Sequence, residues 1–264
     1  RDQTRGEEAV EKLKVSGLSN VVFHQLDIND PNSIECLAKF INNAAEVGLI
    51  VHVEEFKEGE GHLQIVDERA HLLTNVLEQP YELGERCVKT NYYASKMVTE
   101  SLIPLLQLSK SPRIVNVTSF FGHLCFLPNE KLKEELVHIE KLTEERINEI
   151  IQLFLSDFKA GKLKENGWPL TYCAYKVSKF ALNAYTRLLA RKHKNMLVNC
   201  VHPGYVATDM TSQIGHKTAE EGAKGPVMAA LLPDNGPSGV YFHETQAAPF
   251  SPTEFANFLK ELKE

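Results

Sequence analysis

Two short apolar runs, Ile114-Val115-Asn116-Val117-Thr118 and Met196-Leu197-Val198-Asn199-Cys200-Val201, do most to limit what this chain can fold into. Each reads as a buried strand, and helical spacing from about Tyr172 to Lys194 fills much of the stretch between them. Strand, helix, strand predicts a parallel sheet with helices packed against it, an α/β architecture. The first run follows Pro112 and ends at Ser119; the second is stopped by Pro203-Gly204. Upstream, residues 4–17 read as a surface helix closing at Gly17. Asn20 to Leu26 reads as another strand, followed by the turn Asp27-Ile28-Asn29-Asp30-Pro31 and a short helix through Phe40. Acid-rich residues 53–70 read as a solvated loop or frayed helix.

Further along, Leu83, Cys87, Val88, Met97, Val98, Leu102 and Leu105 recur at helical spacing, which predicts one long helix from Glu82 to about Leu108 with Asn91 in its middle. Thr143-Glu144-Glu145 is an N-cap followed by acids in the first turn. The stripe Ile147, Ile150, Ile151, Phe154, Leu155 and Phe158 continues it toward Gly161. Gly236-Pro237-Ser238-Gly239 is a turn before a last short strand, Val240-Tyr241-Phe242, and a charged helix closes the sequence.

Composition narrows the function classes. With 264 residues, 43% of them hydrophobic, the chain can bury a core as one domain. A net charge of -6 and no Lys/Arg-rich block disfavour nucleic acid as a partner. No apolar run has the length of a membrane span. Five scattered cysteines without a C-x-x-C motif read as small buried apolar residues in a reducing, cytoplasmic setting. His52, His62, His71 and the other histidines lack metal-ligand spacing and read as surface groups, so no metal is expected.

Ligands of open parallel sheets bind beyond the carboxyl ends of strands, which makes Asp27, Ser119 and Pro203-Gly204 candidates. A phenol with an ordinary pKa of ~10 gains acidity from an ammonium one helical turn away, so Tyr-x-x-x-Lys is a candidate proton-donor pair. Three of the eight tyrosines match: Tyr92 to Lys96, Tyr172 to Lys176 and Tyr175 to Lys179. The third lies in the helix feeding the Pro203-Gly204 strand, which favours it. Taken singly, each candidate also has a bland reading: Ser119 as a strand-ending hydroxyl, Asn91 as a polar helix residue, Asp27 and Pro203-Gly204 as turns. Phe120 and Trp168 can line a substrate pocket or belong to the core.

Taken in order, the runs ending at Ser119, Tyr175-x-x-Ser178-Lys179 and Asn199-Cys200-Val201-His202-Pro203-Gly204-Tyr205-Val206-Ala207-Thr208-Asp209-Met210 resemble the short-chain dehydrogenase/reductase family. The chain is most similar to its plant branch of menthol dehydrogenases and salutaridine reductase, relatives of monomeric carbonyl reductases. The resemblance implies a Rossmann-like three-layer sandwich, with residues 123–170 as a helical insertion in a single domain spanning 1–264. It implies reduction of a ketone or aldehyde with NADPH, with Tyr175 as general acid and Lys179 lowering the phenol pKa and holding the nicotinamide ribose. Ser119 would hydrogen-bond the carbonyl oxygen and Asn91 would anchor a relay water.

On the cofactor side, the resemblance implies Asp27 and Ile28 against adenine and Asn42-Asn43-Ala44 in the family's Asn-Asn-Ala-Gly turn, with Ala45 in the glycine's place. Pro203, Gly204, Val206 and Thr208 would lie along the nicotinamide side, and Arg1 beside a 2'-phosphate. By the same comparison, strands one, two and four of the family and its glycine-rich phosphate turn are expected to be missing from these 264 residues. The chain as it stands is therefore expected to bind NADPH poorly. The insertion implies a monomer.

Overall fold

The computed structural model describes residues 3–15, 45–52, 76–107 and 109–262. The strand expected at 20–26, the loop at 53–70 and the site candidates Arg1, Asp27, Ile28, Asn42, Asn43 and Ala44 lie outside the described residues.

Helix α1, Gln3–Val15, falls where residues 4–17 read as helix. Two two-residue strands, β1 (Ile50–Val51) and β2 (Leu77–Glu78), pair antiparallel. The long helix then takes shape with one departure from its expected regularity. It runs as α2 (Tyr81–Val88), a π-helical segment Lys89–Ala94 and α3 (Ser95–Leu106) without a break. Thr90, Asn91, Tyr92 and Ala94 are all buried in that segment. The wider π turn is a common feature of functional sites and here carries Asn91.

The main sheet has the order β3 (Arg113–Val117), β4 (Leu197–His202), β5 (Tyr241–His243) and β6 (Gln246–Ala248). The first three are parallel, with Val117 opposite Val201 and His202 opposite His243. The sheet is mixed rather than wholly parallel, because β5 and β6 form an antiparallel hairpin. Its turn residue Glu244 has φ +58 and is not a glycine, so the usual hairpin signal is missing from the sequence.

Helices α4 (Glu130–Val137), α5 (Glu144–Lys159), α6 (Cys173–Lys192), α7 (Ala219–Ala230) and α8 (Pro252–Glu261) complete the described fold. Helix α5 starts as its sequence dictates: Thr143 Oγ1 accepts the Arg146 N–H at 3.1 Å, and Glu144 and Glu145 sit in the first turn. Its apolar stripe, Ile147, Ile150, Ile151, Phe154 and Leu155, is buried in one core cluster with Val177, Phe180 and Ala181 of α6. Residues 123–170 therefore cover one face of α6. Trp168 belongs to this core: its indole meets Phe154 edge-on at 5.4 Å and donates to Asp157 Oδ2 at 2.7 Å.

Two further expectations are corrected by burial. Cys87, Cys173 and Cys200 are buried, but Cys125 is exposed. The histidines are not all surface groups. His123 is 1% exposed and stacks on Phe255 at 3.6 Å, while the Nδ1 atoms of His202 and His243 are buried without partners among the described residues. Both lie at strand ends roofed by Phe120, Phe255 and Phe258, a tertiary arrangement that no local pattern announces.

Candidate active site

Ser119 follows β3, and Tyr175 and Lys179 stand one turn apart near the start of α6, so the sheet and the helix packed on it bring three sequence-distant candidates together. Ser119 Oγ accepts the Phe121 N–H at 3.2 Å, and the Ser119 side chain is hydrogen-bonded to the phenol of Tyr175. With one lone pair taken by a backbone N–H, the serine has its own hydrogen and a second lone pair for the phenol. Tyr241 braces the same residue from β5, its hydroxyl 3.4 Å from the Ser119 carbonyl oxygen. The short 3₁₀ turn Phe120–Gly122 is held tightly to α6. A Cβ at Gly122 would stand 2.8 Å from Thr118 Oγ1 and 3.0 Å from Lys179 Cβ, so only glycine allows this approach.

Lys179 is 3% exposed, lies 5.6 Å from the centroid of the Tyr175 ring and donates to the Val117 carbonyl at 3.1 Å. Burial moves the two ionisable groups in opposite directions. It pushes the Tyr175 phenol up to about 12, with the Ser119 hydrogen bond pulling the other way and Cys87 adding to the rise. It pushes the Lys179 ammonium down to about 8, with Cys87 opposing. Of the groups around the phenol, Ser119 is the one that pulls it down in this arrangement. The lysine's ammonium is directed at a main-chain carbonyl and at the face of the ring.

A cost in stability follows. Between pH ~8 and ~10.4 the unfolded lysine holds a proton that the folded one does not, so stability rises with pH across that window. The buried ammonium costs on the order of 3 kcal/mol near neutral pH. Lys179→Met is expected to raise the thermal midpoint near pH 7 and to flatten the rise between pH 8 and 10, read by melts across that range.

Asn91 lies in the π segment beside this group. Its Oδ1 accepts the Glu46 N–H and its Nδ2 donates to the Glu46 carbonyl, both at 2.8 Å, and Nδ2 also reaches Ser178 Oγ at 3.1 Å. Its side chain thus clamps the backbone of residue 46 to the helix that carries Tyr175. The other two Tyr-x-x-x-Lys matches are structural. Tyr92 is fully buried and Lys96 pairs with Glu144 at 3.0 Å. Lys176 is buried, donates to Thr171 Oγ1 at 2.9 Å and faces the rings of Phe121 and Phe126.

Pro203, Gly204, Val206 and Thr208 lie in the loop beyond β4. Gly204 has φ +90, and a Cβ there would meet Lys217 Cδ at 2.6 Å. The loop is tied down at several points: Lys217 Nζ pairs with Glu244 at 2.7 Å, the Ala207 N–H donates to the Lys217 carbonyl, and Arg5 of α1 pairs with Asp209. Phe120 sits in an aromatic group with Phe126, His202, His243 and Phe255. Sequence reasoning missed Phe121, Tyr172 and Tyr241. Only Tyr172 left a local signal, as a discarded Tyr-x-x-x-Lys match.

Comparisons with known proteins place the chain in a family. A family model described as enoyl-(acyl carrier protein) reductase matches residues 163–232, which include α6 and β4. A short-chain dehydrogenase/reductase 1 from Saponaria officinalis is 45% identical over 265 residues, covering 95% of this chain and 86% of the relative. The solved structure of salutaridine reductase from Papaver somniferum superposes with a TM-score of 0.81 at 46% identity, covering 92% of this chain and 89% of that one. A mouse protein named carbonyl reductase [NADPH] 1 is 34% identical over 95% of this chain and 87% of its own length. With Ser119, Tyr175 and Lys179 assembled at the strand ends of a Rossmann-like α/β sheet, and with identity of this extent along nearly the whole sequence, the chain belongs to the short-chain dehydrogenase/reductase family of oxidoreductases.

Proposed function

We propose that this protein reduces the carbonyl group of a small molecule, a ketone or an aldehyde, to an alcohol with NADPH, and that Tyr175 is the general acid. The observation that carries the reading is the hydrogen bond between Ser119 and the Tyr175 phenol above a buried Lys179. A carbonyl oxygen placed at the phenol would accept two hydrogen bonds, one from Tyr175 and one from Ser119. Both donors stabilise the negative charge that grows there as the carbon is reduced. A phenol held protonated at neutral pH is in the correct state to give a proton, and once the Ser119 hydrogen is engaged by the carbonyl oxygen the nearby Lys179 ammonium lowers the cost of forming the phenol's anion.

NADPH, when bound, supplies the hydride. The described residues fit its nicotinamide end. Among them, Lys179 Nζ has one hydrogen-bond partner, Val117 O, which leaves two of its three N–H groups to meet the paired hydroxyls of a ribose. Pro203, Gly204, Val206 and Thr208 border the same strand end. The NADPH preference and the carbonyl substrate both draw support from the name of the mouse relative, and reduction from that of the Papaver somniferum one. The cover that residues 123–170 form over α6 supports a monomer. NADPH oxidation, followed against a panel of ketones and aldehydes, tests the activity. Consumption that depends on the carbonyl supports it, and none with any member sinks it for this chain.

A second reading has its own observation: none of the fifteen glycines forms a Thr-Gly-x-x-x-Gly-x-Gly turn, the backbone cradle that a pyrophosphate requires. On that reading the proton-donating half of the site is intact while the 264 residues bind the cofactor weakly. A fluorescence titration is expected to give millimolar affinity for NADPH. Micromolar binding would remove this second reading.

A further inference from the structure

We propose that Tyr172 is a positioning residue: its ring, seated against Phe121, holds the Ser119 hydroxyl on the phenol of Tyr175. The inference rests on the reading of Tyr175 as proton donor and adds a residue that reading does not contain. Tyr172 is the residue before α6 and has φ 50 and ψ 37, the left-handed region that a bulky side chain enters only when its surroundings force it. No side-chain cap at Tyr172 explains the conformation. The helix start is instead satisfied from outside, with Gln79 Oε1 accepting the Cys173 N–H at 2.9 Å and Gln79 Nε2 donating to the Leu170 carbonyl at 2.8 Å. The left-handed turn therefore serves to direct the ring.

That ring lies 5.6 Å from the ring of Phe121, with the planes inclined by 36°. Lys176, in the first turn of α6, places its ammonium 5.5 Å from the same Phe121 ring, so Tyr172 and Lys176 flank one phenylalanine. Phe121 in turn donates its backbone N–H to Ser119 Oγ at 3.2 Å. This bond occupies one lone pair of the serine oxygen and fixes the direction in which its hydrogen and second lone pair face the phenol. Shifting Phe121 moves the donor that sets the serine rotamer. Gly122 anchors the far end of the same turn, its carbonyl accepting from Asn183 at 2.8 Å, so the Tyr172–Phe121 contact governs the end nearer Ser119.

The test reads the Tyr175 phenol directly, without cofactor or turnover, in the full chain labelled with [13Cζ]tyrosine. Tyr175→Phe assigns the resonance, and Ser119→Ala gives its position when the hydrogen bond is lost. Tyr172→Phe keeps the ring and is expected to leave the Tyr175 resonance at its original position. Tyr172→Asn keeps a residue that tolerates the left-handed backbone but removes the ring, and is expected to move the resonance to the Ser119→Ala position. If Tyr172→Asn leaves it unmoved, the proposal is wrong. Where Tyr172→Asn does not fold, Phe121→Leu decides by the same shift. Because no reaction is measured, an inactive chain that shows the shift supports this inference while counting against the proposed function, and an active chain without it does the reverse.

Discussion

Tyr175→Phe is expected to lower carbonyl reduction by about a hundredfold to ten-thousandfold, the range that a positioned general acid contributes. The substitution removes one oxygen and keeps the ring over Lys179, so the site keeps its shape. The KM for NADPH should change little, and the loss should fall on kcat, because the missing interaction is one that strengthens only as charge develops on the carbonyl oxygen. The measurement is steady-state NADPH oxidation with the best carbonyl of the panel. It is run in parallel on the chain itself and on a hybrid in which the family's glycine-rich turn precedes residue 1. A Tyr175→Phe enzyme turning over at near the original rate would remove the mechanism.

The second large effect is on stability in acid. Burial pushes His202 down to about 3, with His243 and Lys217 adding to the fall. It pushes His123 down to about 4, with the Pro249 carbonyl opposing and His243 adding. His243 is lowered by burial too, with Glu244 opposing and Lys217 adding. A histidine whose folded pKa lies below the unfolded ~6.5 takes up its proton only on unfolding, so stability is lost as pH falls from ~6.5 toward the folded values. At about 1.4 kcal/mol per pKa unit, His202 and His123 alone place several kcal/mol on this window, a large share of a domain's typical margin. Chemical denaturation should show the midpoint dropping steeply between pH 6.5 and 4, and His202→Gln should make the drop shallower. A midpoint flat across that range would show that these rings accept protons without leaving the aromatic roof of Phe120, Phe255 and Phe258.

Legibility in the sequence followed the range of the forces involved. The strands ending at Ser119 and at Pro203-Gly204, the stripe of α5 and its Thr143 cap all depend on local spacing, and the structure has them close to where the residues predict. The pairing of Ser119 with Tyr175 was also legible, because strand ends and the helix between them share one edge of a parallel sheet. The π segment around Asn91 was not, since helical spacing continues through it without a change of residue type. The hairpin of β6 lacked a glycine signal at Glu244. Trp168 and the three histidines turned on which distant elements close over them: Phe154 and Asp157 claim the indole, and α8 covers His123. The role proposed for Tyr172 depends on a backbone conformation and on the distant ring of Phe121, neither of which a Tyr-x-x-x-Lys spacing encodes.

The central claim is that Ser119 and Tyr175 act as one proton-donating unit. A double-mutant cycle on kcat, with Ser119→Ala, Tyr175→Phe and the two combined, tests it most directly. Groups that act together lose their effect together, so the double variant is expected to be no slower than Tyr175→Phe alone. Losses that multiply, each substitution costing its full factor in the presence of the other, would contradict the account.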